Sequence, residues 1–340
     1  MIVRYPVAVA LALALALDVP RGSDLEERRS IGSLPAQIAG AFEEISASHV
    51  SPSGEYTNFD RRAHAVYTVA RGAEAPKRIV QIGAERGRII RPTAFDSAAD
   101  GTFVVADAPG NQQRVQFFVP TGAELGGFTL AGRGVPQITL GDLVLSGVGT
   151  LEYTGETVLI SQPEIGALVT EYLLSGTPLR TFGELRVTGQ EKDPAVHRAL
   201  NVGVTLLNPK GGYYFVFLSG VPAFRKYDAA GTLVFERHIE GVEMDPYVGR
   251  MPTTWPRRRE GGTEIPIVPA LVRTAGVDPD GNLWISLIAP YTYVYDPAGD
   301  KRRTLQFRGA GIIAPTHFFF TRDRRVIVSP GCYTFDATGV

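Results

Sequence analysis

The sequence has 340 residues, with 34 basic against 35 acidic side chains, a formal net charge of −1 and 44% hydrophobic content. This balance supplies no global field to attract nucleic acid or anionic lipid, and the composition is that of an ordinary globular chain. The lone cysteine, Cys332, excludes an intramolecular disulfide and is expected to be a buried, inert thiol.

At the N-terminus Arg4 precedes an apolar run, Val7 to Leu17, built mostly of alternating Ala and Leu. As a helix this run rises only about 16 Å, half of a ~30 Å hydrocarbon core, so it is too short to span a membrane. The basic start, the short apolar core and the small triplet Ala14-Leu15-Ala16, followed by Asp18, Pro20 and Gly22, read as a signal peptide over approximately residues 1–22. The expected location is periplasmic or extracellular, with residues 23–340 as one domain and no stable membrane span after signal removal. A helix packed on the domain and an uncleaved anchor are the alternatives. With no cysteine near residue 20, a bacterial lipoprotein anchor is not expected.

Next, Arg28-Arg29-Ser30-Ile31-Gly32 repeats the pattern of Arg302-Arg303-Thr304-Leu305 ahead of Gly309. Residues around 26–32 are therefore expected to pair with the last repeat and close a ring, which removes exposed sheet edges. Pro35 to Ile45 reads as a short helix, with Ile38, Ala41, Phe42 and Ile45 at helical spacing and Glu43-Glu44 on its polar face.

From there a phrase of tight turn, apolar strand, second strand and glycine turn recurs six times. Its first turns are Ser53-Gly54, Asp100-Gly101, Thr154-Gly155, Gly211-Gly212, Asp280-Gly281 and Asp323-Arg324, at intervals of 47, 54, 57, 69 and 43 residues. Its second turns carry Gly72, Gly122, Gly176, Gly231, Gly299 and Gly339. A unit of about 40–45 residues with strand–turn–strand content is the signature of propeller blades. Each repeat reads as four strands, and Asp-Gly and Gly-Gly suit the hairpins because they tolerate positive φ. The repeat overrides the two domains that length alone suggests, since blades share neighbours and close as one unit.

Two repeats carry a further resemblance. Pro92-Thr93-Ala94-Phe95-Asp96, running into Asp100-Gly101-Thr102-Phe103-Val104-Val105-Ala106-Asp107 and Arg114-Val115-Gln116-Phe117, resembles an NHL repeat. Val277-Asp278-Pro279-Asp280-Gly281-Asn282-Leu283-Trp284-Ile285 is similar to the same motif. The chain thus resembles the NHL-type six-bladed β-propellers of exported bacterial proteins. The resemblance implies an all-β propeller of four-stranded blades, with binding at the face where outer strands cross to the next inner strand. The family holds binding modules and enzymes alike, so it leaves function open.

The insertions fall in those crossings. Thr188–Leu200 carries Glu191, Lys192, Asp193, His197 and Arg198, and Val242–Pro269 carries Asp245, Tyr247, Trp255 and Arg257-Arg258-Arg259. Arginine forks beside an indole suit an anionic or aromatic ligand; a solvated basic turn anchored by Trp255 is the plainer reading. Counting back from the first turns aligns Thr93, Arg273 and Thr316 at the inner-strand starts, with Ala94, Thr274 and His317 next to them and His49 within the first inner strand. Arg273 with His317 could bind an anion or polarise a carbonyl, or merely satisfy channel waters. The candidate ligand-binding residues are Thr93, His197, Trp255, Arg257, Arg258, Arg259, Arg273, Thr316 and His317.

Enzymatic templates are weaker. The five histidines show no metal-ligand spacing, and no cofactor or metal is expected. Gly-x-Ser-x-Gly and phosphate-binding loops are absent. Lactonases of similar fold use acidic and amide ligands at the channel, a set the inner-strand starts do not supply. The sequence therefore points to an exported, monomeric propeller that binds a small molecule or an envelope protein at the channel mouth and interblade rim. A lactone- or ester-type hydrolase or lyase acting in the channel, and an envelope assembly scaffold, are the alternatives.

Overall fold

A computed structural model describes residues 25–110, 112–130, 138–140, 143–145, 149–252, 254–260 and 263–338. The expected signal peptide, residues 1–22, lies outside them, as does Gly339. The alternating apolar runs form antiparallel blades radiating from one axis. Blade one is Ile45–Val50, Tyr56–Asp60, Ala65–Val69 and Lys77–Val80; blade two is Ala94–Ser97, Phe103–Asp107, Gln113–Phe118 and Glu124–Leu130. Blade three is Leu151–Tyr153, Thr157–Ser161, Ala167–Leu173 and Pro178–Glu184; blade four is Gly203–Leu207, Tyr213–Phe217, Ala223–Tyr227 and Leu233–His238. Blade five is Val272–Val277, Leu283–Leu287, Thr292–Tyr295 and Lys301–Arg308, and blade six begins with His317–Phe320, Arg325–Ser329 and Tyr333–Asp336. The innermost strand of every blade touches those of both neighbours, and blade one touches blade six, so the ring is closed.

The turns show why these residues form hairpins. Asp296 accepts from the amides of Ala298 and Asp300, and Asp228 accepts from those of Ala230 and Thr232, so a side chain replaces missing backbone partners. At the first turn of blade five buried Asp278 accepts from the amides of Asp280 and Asn282, from the Asn282 side chain and from Trp284 Nε1. The recurring second-turn glycine has a tertiary role as well. Gly231 sits at φ +85°, and a Cβ there would lie 2.8 Å from Cβ of Phe182 on the outer strand of the preceding blade. Gly122 meets Ile79 of blade one in the same way.

Packing follows from the alternation. The main apolar clusters lie between blade faces, as where Trp284, Val294 and Phe307 of blade five meet Phe318, Val326 and Phe335 of blade six. Cys332 is buried against Ser48 Oγ at 2.8 Å, joining blade six to blade one, and burial pushes its thiol up to about 12.

Closure differs in detail from the expectation. Ile31 N donates to Thr334 O at 2.8 Å and Thr334 N to Gly32 O at 2.7 Å, which puts this segment in the fourth place of blade six. Leu25–Arg29, however, lies parallel to the outer strand of blade five. Charge complementarity holds it there: Glu26 accepts from buried Arg303 at 2.7 Å, and Glu27 pairs with Arg308 at 2.6 Å. The expected helix from Pro35 to Ile45 is also shorter, reduced to Ala36–Ala39, with Ile45 already in strand. Asp60 draws the chain out by accepting from the amides of Glu43 at 2.7 Å and Glu44 at 3.1 Å. Glu44 pairs with Arg61 instead of decorating a helix.

Candidate binding site in the central channel

The first residues of the innermost strands surround a cavity of about 330 Å³ on the ring axis. Thr93, Arg273, Thr316 and His317, aligned by counting back from the turns, all line it. Their backbones explain the placement of the two threonines: Thr93 N donates to Ala106 O at 2.8 Å, and Thr316 N to Ser329 O at 2.9 Å. Each threonine is therefore fixed just before its innermost strand, with its side chain at the channel.

The basic side of the lining comes from blades five and six. Among the described residues Arg273 has no carboxylate partner: its guanidinium reaches Ile288 O at 3.4 Å, and its Nε has no hydrogen bond. Burial lowers its pKa from the ordinary arginine value. His317 is enclosed with Nδ1 unpartnered, and burial followed by the nearby His49 holds its pKa down to about 4. His49 is likewise near 4 through burial, partly offset by Asp100; its Nδ1 contacts Ser97 Oγ at 2.7 Å. Both imidazoles are neutral at pH 7.

The acidic side was missed in the sequence. Asp96 of blade two and Glu152 of blade three line the same cavity. Asp96 Oδ2 accepts from Tyr153 N at 2.6 Å, and Glu152 Oε1 accepts from Leu207 N at 2.9 Å. Burial, opposed by the Tyr153 and Ser97 amides, raises Asp96 to about 7. Burial, then the charge of Asp96, lifts Glu152 well above the usual carboxylate range. The inner strands thus do supply acids to the channel, contrary to the reading of their starts. Asp96 lies five residues before Gly101, but Glu152 only three before Gly155, so counting from the turns could not align them. Among the described residues no group of three or more His, Cys, Asp or Glu could hold a metal ion.

A second feature missing from the sequence reading is a strap. The connection from blade two to blade three includes Ile138–Leu140, and Thr139 exchanges backbone bonds with Val268 and Ala270 ahead of blade five. Leu140 consequently contributes to the cavity lining.

The remaining predicted residues gather at the rim, apart from the cavity lining. The two insertions do meet: Arg257 pairs with Asp193, the residue that caps helix Pro194–Leu200 by accepting from Val196 N. His197 on that helix contacts Thr188 Oγ1 at 2.7 Å. Arg257, Arg258 and Arg259 lie on strand Arg257–Glu260, hairpinned to Thr263–Pro266, so this loop has regular structure. Trp255 is partly buried against the core between blades four and five, and its Nε1 has no partner.

No protein-family model matches the sequence, and no curated protein does. Among solved structures the chain is similar to a streptogramin B lyase, with a TM-score of 0.52 and 10% identity over 85% of this chain and 76% of that one. It is also similar to a gluconolactonase from Xanthomonas campestris, with a TM-score of 0.51 and 13% identity over 92% of this chain and 95% of that one. At these identities the likeness is one of fold.

Proposed function

We propose that this protein is an exported propeller that binds a small molecule in its central channel, where Arg273 anchors an anionic or carbonyl group. The observation that carries the reading is Arg273 itself: a partly buried guanidinium facing a cavity, with no carboxylate partner among the described residues and an unpartnered Nε. A charge withdrawn from water without a partner is costly, and a planar fork is suited to carboxylate or phosphate. The apolar run at residues 7–17 supports export, and the Asp278–Trp284 network supports an NHL-type repeat. Trp255 and the arginines of the rim hairpin form a secondary contact zone for a ligand or an envelope partner.

Thermal denaturation with acetate, lactate, succinate and phosphate tests the channel assignment. At least one anion should stabilise the wild type and leave Arg273→Gln unshifted. Stabilisation that survives in Arg273→Gln and disappears when Trp255 and Arg257–Arg259 are replaced by Ala or Ser would move the site to the rim. Fusing residues 1–24 to a reporter tests export; activity confined to the cytoplasm would overturn it.

One observation favours a second reading, a lactone- or ester-type hydrolase or lyase. Asp96, near 7, beside Glu152 offers a proton donor and acceptor poised near neutral pH. Turnover of a lactone or ester that Asp96→Asn abolishes would favour this reading over simple binding.

A further inference from the structure

The channel lining is charged in opposite senses on opposite sides. In a closed ring of six blades, blade two stands across from blade five and blade three across from blade six. Asp96 and Glu152 therefore occupy the wall facing Arg273 and His317, and all four border one cavity. The carboxyl pair has only amide partners: Tyr153 and Ser97 for Asp96, and Leu207 for Glu152. Among the described residues no cation pairs with either acid. The other charges on the lining, Glu44 and Arg61, already pair with each other. The lumen thus holds two acids without a cation and, opposite them, a guanidinium without an anion, beside an enclosed imidazole with a bare Nδ1.

We infer that the channel is built for a dipolar molecule, seating an ammonium group between Asp96 and Glu152 and a carboxylate at Arg273. This rests on the channel-binding reading above and narrows its ligand to the class of amino acids and short zwitterionic amides. The energetic logic is reciprocal. Each end of such a ligand supplies the counter-charge that its wall lacks, in a space where water screens charges less than in bulk. A simple anion would satisfy Arg273 but would leave the carboxyls facing each other, and a simple amine would do the reverse. The 330 Å³ volume is at the small end of the range for ligand pockets, which suits a compact molecule.

Proton linkage gives the inference a signature. Asp96 is raised to about 7 and Glu152 is raised with it, so near neutral pH the pair retains a proton. An ammonium seated there favours the doubly ionised pair and expels that proton. His317 also faces the lumen, with buried His49 near it, and both imidazoles are neutral above pH 6; Arg273 and the paired Glu44 and Arg61 complete the charged lining. Affinity for the ammonium end should therefore rise from pH 6 to pH 8, with proton release on binding.

The test uses the mature protein with three probes of one length: 4-aminobutanoate, butanoate and butylammonium. Each is titrated calorimetrically in EDTA, so that no metal stands in for the ammonium, and in two buffers of different ionisation enthalpy. The dipolar probe should bind at least about tenfold more tightly than either single-ended one, and release protons. Asp96→Asn with Glu152→Gln should abolish the advantage of 4-aminobutanoate over butanoate, while Arg273→Gln should reduce the dipolar probe to the butylammonium level. Equal affinity of butanoate and 4-aminobutanoate in the wild type, which needs no variant to fold, would overturn the dipolar assignment while leaving channel binding intact. Failure of every ω-amino acid from two to six carbons to bind would also overturn it. Dipolar binding unchanged in both variants would put the ligand outside the channel and overturn both readings.

Discussion

Replacing Asp96 by Asn should make the protein more stable, by a margin that grows from about pH 4 and is complete above about pH 7. The Asp96 carboxyl is enclosed on the channel wall, and its pKa rises from 3.8 to about 7. An acid raised on folding contributes fully below its unfolded pKa, and that contribution is lost as pH rises through the folded pKa. The window is therefore pH 4 to 7. The whole shift corresponds to about 4 kcal/mol at 1.36 kcal/mol per unit. Glu152 shares the enclosure and lumen water screens part of the charge, so a gain of about 2–4 kcal/mol is expected for Asp96→Asn at pH 8. Asparagine keeps the acceptor for Tyr153 N at 2.6 Å, so little else changes. At pH 4 the acid is protonated in the folded state, and wild type and variant should differ by less than about 1 kcal/mol. Urea denaturation followed by tryptophan fluorescence at pH 4, 5, 6, 7 and 8 measures the difference directly. A variant destabilised at pH 8, or equally stabilised at pH 4 and pH 8, would refute the account of the channel as an enclosure that resists ionisation.

The same physics run in reverse applies to His317. Its pKa falls from 6.5 to about 4, so protonation opposes folding and stability is lost as pH drops through that interval; His317→Phe should recover about 3 kcal/mol relative to wild type between pH 7 and pH 4, measured by the same denaturation series. Gly231→Ala should cost about 1–3 kcal/mol, since φ is +85° and the new Cβ would lie 2.8 Å from Phe182; a midpoint unchanged in urea would contradict the interblade contact. Deleting residues 25–34 should promote aggregation, because it uncovers the edge of strand Lys301–Arg308 in blade five, leaves buried Arg303 without Glu26 and opens the edge at Thr334. Light scattering and a melting curve identical to those of the wild type would show that closure lies elsewhere.

Much of the architecture can be read directly from the sequence, for local reasons. Strand positions follow from alternating side chains and turns from Asp and Gly chemistry, both decided within a few residues; Glu124–Leu130 and Arg325–Ser329 are legible to the residue. The number of blades follows from the period; the channel residues Thr93, Arg273 and Thr316 follow from equal spacing to their turns, with His317 at the next position. The tertiary structure decided what depends on residues brought together from different blades. Asp96 and Glu152 face one lumen only once the ring closes, and because blade three has a shorter first hairpin, their places relative to the turn differ. The strap at Ile138–Leu140 and the docking of Leu25–Arg29 on blade five are likewise long-range pairings, fixed by Thr139 with Val268 and by Glu26 with Arg303. A sequence encodes local hairpins through neighbouring side chains, but a channel is lined by residues far apart in the chain. Its charge pattern and altered pKa values exist only when folding removes those residues from water and sets them face to face.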